Sequence, residues 1–327
     1  MHNGERVGPR AHSDHMKYSR LFTALDEGLD LSGTLHVLRP PAGFDLAGLS
    51  DVSVEATYYP DYQYWDAMGF IGDGAARAAT LVVLPRSKTL ARSMIVSAIA
   101  AGGLVIVDGQ KTDGVEGVYK DIRKVSPILG VIAKGHGRLF WFEAGATPKW
   151  DTTVKSPDGY KTVAGVFSET KIDAGSALLA DHLENLKGEV ADLGAGWGYL
   201  SREVLRHEGV TRLDMIEAEK TALECAVENT NDPRARDVWT DALTYSGGPY
   251  DVVISNPPFH ASRTGDPDLG KGFIATAARI LSPRGAFYMV ANRHLPYEAE
   301  LDAKFARVEE LSGSGAFKTF RATRPKR

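Results

Sequence analysis

The stretch Ser255-Asn256-Pro257-Pro258-Phe259-His260 constrains this chain more than any other, because it directly follows the apolar run Val252-Val253-Ile254. A buried-type strand has to end there, since two consecutive prolines remove backbone donors and clash with helical continuation. The outcome is a stiff turn holding a side-chain amide, a main-chain carbonyl and an aromatic ring at a strand's carboxyl end. In open α/β sheets that edge is where ligands bind. About sixty residues upstream, Val190-Ala191-Asp192-Leu193 runs into Gly194-Ala195-Gly196-Trp197-Gly198, a strand leading through a glycine-rich turn to a helical pattern.

Around these two stretches the alternation is regular. Strands are predicted at 190–193, 212–217, 237–240, 250–255 and 286–291, with helices near 198–207, 219–230, 268–281 and 296–306. A further helix starts at Asp173 and closes at Gly188, and residues 307–312 and 317–322 flank Gly313-Ser314-Gly315 as a β-hairpin. A parallel sheet closed by an antiparallel hairpin is an α/β, doubly wound, Rossmann-like architecture. Upstream, a strand at 79–85, a helix at 87–101 and a strand at 104–109 predict a second parallel sheet. No compact glycine cluster follows 104–109, so this is a Rossmann-like unit lacking a cofactor loop. Residues 132–142 read as two short strands around a glycine turn that His136 serves.

Residues 17–80 show little periodicity beyond a short strand, Leu35-His36-Val37-Leu38. The aromatic run at 58–65 reads as core or interdomain packing ahead of base stacking. A segment at 150–160 rich in Asp, Thr, Ser, Pro and Gly marks a boundary. The expected organisation is a disordered leader over 1–16, a first domain over 17–150 and a second over 151–327.

Composition narrows the chemistry. The single cysteine, Cys225, excludes an intrachain disulfide and a cysteine-based metal site, and suits a reducing, cytoplasmic compartment. No run approaches the roughly 20 apolar residues of a membrane span, and neither membrane nor metal is expected. The net charge of −4 opposes a strongly basic nucleic-acid coat, although basic residues outnumber acidic ones from Arg263 to Arg327.

The glycine turn gives G-x-G-x-G, with Tyr199 standing where the dinucleotide fingerprint G-x-G-x-x-G is broken. Glu217 ends the next strand, nineteen residues after Gly198, where a carboxylate can accept both ribose hydroxyls. Asp241, beside Ala242, ends the third strand, where it can accept an adenine amine. Asp192 would orient the glycine loop or the amino-acid part of a cofactor. Each carboxylate singly can also be a helix cap; three at successive strand ends favour a cofactor.

At the proline turn, Asn256 Oδ1 and the Pro257 carbonyl can each accept one hydrogen of an exocyclic amine. The nitrogen lone pair, otherwise delocalised into a nucleobase, is then localised and aimed. Phe259 would stack on the base.

Asp-Leu-Gly-Ala-Gly-Trp-Gly at 192–198 with Asn-Pro-Pro-Phe at 256–259 resembles a class I S-adenosylmethionine-dependent methyltransferase of the amino-nitrogen type. Gly165-Val166-Phe167-Ser168, Asp173-Ala174-Gly175-Ser176, the stretch Val290 to Tyr297 and Phe317 to Ala322 narrow the likeness. Together they are similar to the ribosomal RNA small subunit methyltransferase C family, which methylates guanine N2 in 16S rRNA, and to its close large-subunit relatives, over about residues 163–327. The resemblance implies S-adenosyl-L-methionine held by Asp192, Gly194, Ala195, Gly196, Gly198, Glu217, Asp241, Ala242 and Asn256. It implies a guanine held by Asn256, Pro257 and Phe259, with His260 beside it and Phe167 and Ser168 walling the site. It also implies a monomer acting on ribosomal RNA or the small subunit, with a degenerate N-terminal methyltransferase-like half that binds RNA and stabilises the catalytic half.

Bacterial relatives often carry Cys inside the glycine loop, where this chain has Ala195 and a bulky Trp197. Two alternatives stand beside this reading. One keeps the chemistry but acts on a protein glutamine or a DNA adenine, whose enzymes usually carry Tyr where this chain has Phe259. The other is a non-catalytic RNA-binding or ribosome-assembly protein.

Overall fold

The structure, a computed structural model, describes residues 19–75, 77–258 and 267–326. The expected leader over 1–16 lies outside them. The chain divides into two compact units: one runs to Ala56 and resumes from Asp61 to Thr153, and the other comprises Thr57–Pro60 and the chain from Val154 onward.

In the first unit, α1 (Arg20–Asp26), β1 (Thr34–Leu38), β2 (Val52–Glu55), α2 (Tyr59–Ala67), β3 (Arg77–Val83), α3 (Lys88–Ala101), β4 (Leu104–Gln110), α4 (Val115–Ile122), β5 (Gly130–Lys134) and β6 (Gly137–Glu143) follow in order. They build a sheet of order β2-β1-β3-β4-β6-β5, in which β1 to β4 pair in parallel and β6 and β5 run antiparallel. Alternate residues serve opposite faces. Leu81 and Ile106 join Leu35, Val37 and Trp65 in one core, while Val82, Val105 and Val107 join Ile95 and Phe140 in the other. Ser87 caps α3 by accepting the Leu90 N–H, and Gly102, at φ +82°, ends it. The β5–β6 turn carries His136 at φ +57°, and its carbonyl accepts the Lys111 N–H.

The second unit contains α5 (Ala174–Ala180), β7 (Gly188–Leu193), α6 (Tyr199–Leu205), β8 (Val210–Glu217), α7 (Lys220–Thr230), β9 (Ala235–Trp239), β10 (Tyr250–Ser255), α8 (Pro267–Ile280), β11 (Leu281–Asn292), α9 (Glu298–Lys304), β12 (Phe305–Gly313) and β13 (Phe317–Pro325). The sheet order is β12-β13-β11-β10-β7-β8-β9, parallel from β11 to β9, with the β12–β13 hairpin antiparallel at the other edge. From β7 the chain winds outward through β8 and β9, then returns to place β10 on the other side of β7. That reversal is a topological switch point, and a crevice opens there at the strands' carboxyl ends. Ser255 pairs with Leu193, and its Oγ donates to the Leu193 carbonyl at 2.7 Å. The glycine turn after β7 and the proline turn after β10 are thereby side by side.

Several boundaries differ from the sequence reading, among them the fifth strand, which starts at Leu281 instead of 286. The helix expected to reach Gly188 stops at Ala180, and the third strand covers Ala235–Trp239 instead of 237–240.

Candidate active site

The glycine turn is bent by left-handed backbone at Gly194, Gly196 and Gly198, with φ of +76°, +55° and +88°. The N–H groups of Gly194 and Ala195 both donate to the Ile216 carbonyl, at 2.8 and 3.1 Å, which ties the turn to β8. A Cβ on Gly196 would point into open space, so this glycine shapes the backbone of the cleft. A Cβ on Gly198 would meet Ala226 Cα at 2.9 Å. Gly198, expected among the cofactor residues, permits close packing of α6 on α7 and is not among the residues lining the cleft.

Glu217 closes β8 with both oxygens directed at backbone donors: Oε2 accepts the Gly196 N–H and Oε1 the Glu219 N–H, each at 2.8 Å. Each oxygen retains a further lone pair for a hydroxyl. Burial pushes this carboxyl's pKa up, and the Glu219 and Gly196 donors partly offset it. Asp192 is fully buried. Its Oδ2 accepts the Ser201 hydroxyl of α6 at 2.7 Å, fastening the helix that follows the glycine turn, while Oδ1 has no hydrogen-bond partner among the described residues. Burial pushes its pKa up to about 7, against the pull of Ser201 and with a smaller push from Glu217.

Asn256 sits at the end of β10 with its amide settled on both sides. Nδ2 donates to Asp173 Oδ2 at 3.0 Å and to Ser176 Oγ at 2.8 Å. A carboxylate accepts only, so the amide nitrogen must face it, and Oδ1 is left as a buried acceptor without a partner among the described residues. Pro257 is buried and Pro258 exposed. Phe259 and His260, expected at the substrate, lie outside the described residues.

One cleft is lined by Asn256, Gly194, Ala195 and Gly196 together with Phe167, Ser168, Asp173, Ser176 and Trp197. The wall at 167–168 is braced from the glycine turn. Trp197 is buried, meets Tyr160 edge-on at 5.0 Å, and donates its indole N–H to the Phe167 carbonyl at 2.8 Å. The Phe167 ring is 62% exposed, and Ser168, at φ +53°, donates to the Lys171 carbonyl at 2.8 Å.

Of the carboxylates expected at the cofactor, Asp192, Glu217 and Asp241 do not line this cleft, and neither does Ala242. Asp241 lies two residues beyond β9, and its Oδ1 accepts the Leu243 N–H at 2.9 Å, a turn bond with no helix behind it to cap. The Ala242 side chain is buried in the main core. Cys225 is buried beside Val166 and Trp197. Among the described residues, no group of three or more His, Cys, Asp or Glu could hold a metal, and no helix is long and apolar enough to cross a membrane.

The model of the methyltransferase small domain family matches residues 159–321. The ribosomal RNA small subunit methyltransferase C of Shewanella loihica is 29% identical over 259 residues, covering 74% of this chain and 76% of that protein. Its Escherichia coli namesake is 28% identical over 336 aligned positions, covering 95% of this chain and 94% of that one. The T. thermophilus 16S rRNA N2 G1207 methyltransferase, solved with AdoMet and guanosine, superposes with a TM-score of 0.74 at 24% identity, covering 97% of this chain and 94% of that chain. That likeness of fold extends through both units.

Proposed function

We propose, from the premise that this chain is an S-adenosylmethionine-dependent methyltransferase whose residues 159–321 are a methyltransferase small domain, that it methylates N2 of a guanine in 16S rRNA. The observation that carries the reading is Asn256: both amide hydrogens are spent on Asp173 and Ser176, and a buried oxygen remains as acceptor. An exocyclic amine is the donor such an oxygen suits.

The cofactor fits the residues present. Open space over Gly196, the spare lone pairs of Glu217 and the orphaned Oδ1 of Asp192 favour a ligand that brings hydroxyls and positive charge. Glu217 and Gly196 would hold its ribose, and Asp192 would act on its amino-acid part. When bound, S-adenosyl-L-methionine supplies an electrophilic sulfonium methyl.

The chain's own residues prepare the nucleophile. Asn256 Oδ1 and the Pro257 carbonyl accept the two amine hydrogens and draw the nitrogen toward tetrahedral geometry, so that its lone pair is directed. The same oxygens stabilise positive charge as it develops on nitrogen. No strong base is required, because the methylated ammonium is acidic enough to lose its proton to water. Phe259 and His260 are assigned to the base, Phe167 and Ser168 to the wall. The first unit, which has the parallel sheet without a glycine turn, is assigned RNA contact and support of the catalytic unit. We read the protein as a cytoplasmic monomer acting on rRNA or the small subunit.

The test offers unmodified 16S rRNA, small subunits, DNA and a glutamine-bearing protein in parallel with methyl-labelled cofactor, followed by mass analysis of digested product. N2-methylguanosine from the RNA arms is expected. Label confined to protein or to adenine N6 would transfer the assignment to those substrates, and absence of cofactor binding in calorimetry would favour the non-catalytic reading.

A further inference from the structure

We infer that Asp173 and Ser176 are positioning residues that make Asn256 present an acceptor to the substrate, and so select an amine over a carbonyl as the group admitted. The inference rests on the amine reading of the site above. Asp173 is the N-cap of α5, and its Oδ2 performs two tasks at once. It accepts the Ser176 N–H at 2.9 Å, which closes the first turn of the helix, and it accepts Asn256 Nδ2 at 3.0 Å. Ser176 Oγ takes the other amide hydrogen at 2.8 Å. Both side chains line the cleft, and Ser176 is 8% exposed.

An amide has two nearly isosteric edges, and rotation by 180° exchanges an acceptor for a pair of donors. Inverting Asn256 would place its oxygen about 3 Å from the Asp173 carboxylate, where two acceptors face each other and a charge-assisted bond is lost. With donors toward the cleft, the site would repel an NH2 group and suit a carbonyl oxygen. Gly175 keeps the arrangement uncrowded: a Cβ there would lie 3.0 Å from both Asp173 Oδ2 and Phe317 Cε1.

Because Ser, Asn and Asp all serve as N-caps, capping and positioning can be separated. Asp173→Ser keeps a cap but is too short to reach Asn256, whereas Asp173→Asn retains an oxygen at the same length. On the rRNA substrate, Asp173→Ser combined with Ser176→Ala is expected to lower kcat about a hundredfold, the scale of a misplaced reacting group. The dissociation constant for S-adenosylhomocysteine should stay within about twofold of wild type. Asp173→Asn should lose less than about tenfold, because an acceptor still faces the amide.

A second readout does not depend on which substrate is used. The side-chain NH2 resonances of Asn256, assigned by their disappearance in Asn256→Ala, should exchange slowly in the wild type and fast in the Asp173→Ser/Ser176→Ala variant. Wild-type kcat in that variant, or unchanged exchange of those resonances, would overturn the inference. Near-wild-type turnover in both Asp173→Ser and Asp173→Asn, each of which keeps the cap, would reduce Asp173 to a helix cap. If the wild type methylates no RNA, the substrate reading fails while the exchange experiment still decides the positioning role.

Discussion

The two units share a wiring and differ at the strand ends. Laid against the order β12-β13-β11-β10-β7-β8-β9, the first sheet, β5-β6-β4-β3-β1-β2, is the same sequence of strands, without a counterpart of β9 among the described residues. The strand β1 corresponds to β7, β2 to β8 and β3 to β10. Where β7 enters a turn with three left-handed glycines, β1 enters Arg39-Pro40-Pro41, whose Pro40 carbonyl accepts the indole N–H of buried Trp65 at 3.0 Å. Where β8 ends in Glu217, poised between the glycine turn and Glu219, β2 ends in Glu55, half exposed and 3.7 Å from the imidazole of His36. Where β10 leads to Asn256, β3 leads to Leu84-Pro85-Arg86, and Ser87 caps the next helix. Hydrophobic alternation, common to both, builds the sheet. What makes one crevice a site is four or five loop residues whose polar atoms are held without being consumed.

The sharpest way to break this contrast is at Asn256. Asn256→Ala should abolish turnover, a loss of more than about 10³-fold, since the amine would lose its orienting acceptor. Cofactor affinity by calorimetry should hold near the wild-type value. Loss of cofactor binding in proportion would mean that the amide holds the cofactor instead of the amine.

The first unit's sensitive point is structural. Arg20 grips buried Asp108 through Nε–Oδ1 at 2.6 Å and Nη2–Oδ2 at 3.1 Å. Burial raises the Asp108 pKa and Arg20 opposes that rise. Arg20→Ala strands the carboxylate and should cost about 3–5 kcal/mol in denaturant unfolding. Cofactor affinity should remain unchanged if the crevice belongs to the other unit alone.

Legibility from sequence follows the same divide. β7, β8 and β10 are legible because each is an apolar run ended by glycine, proline or a carboxylate. α2 is not: Tyr59–Ala67 opens on Tyr-Pro, is rich in aromatics and buries only Trp65, so no apolar stripe marks it. β9 shifts by two residues because it is an edge strand with no fully buried position. The helix from Asp173 looks longer than it is, since Leu183 and Leu186 keep helical spacing yet are buried from the turns that follow Ala180. At the site, the glycines, Glu217 and Asn256 are readable as motif positions. The bonds from Asn256 to Asp173 and Ser176 span 83 and 80 residues, and no local pattern encodes them. That Gly198 also makes room for Ala226 of α7 is a packing role only the folded structure reveals.

Corresponding carboxylates sharpen the comparison further. Glu217→Ala should weaken cofactor binding by about ten- to a hundredfold, the range for losing hydrogen bonds to a charged group. Glu55→Ala, at the matching strand end of the other unit, should leave it unchanged. Calorimetry on both variants checks the pair, and equal effects would erase the functional distinction between the two sheets.

The smallest expected effect concerns protons. Asp192, with a pKa near 7 in the folded protein and an ordinary value of 3.8, keeps a proton that the unfolded chain has already released. Folded protein therefore binds more protons than unfolded protein between about pH 4 and 7. The stability associated with this group is complete below pH 4 and is lost as pH rises toward 7. Cofactor binding runs in the opposite direction. A ligand carrying positive charge favours the ionised carboxylate, so below pH 7 binding must expel the proton, and affinity should rise with pH by about tenfold between pH 6 and 8 before levelling. Calorimetry in buffers of different ionisation enthalpy would register that proton release at pH 6 and its disappearance at pH 8. Asp192→Asn should flatten both responses. Asp108 serves as the counter-example: its pKa is also raised by burial, but Arg20 already answers it, so Asp108→Asn should leave the pH dependence of cofactor binding intact. A slope that survives Asp192→Asn and vanishes with Glu217→Gln would reassign the proton to Glu217, whose pKa burial also raises.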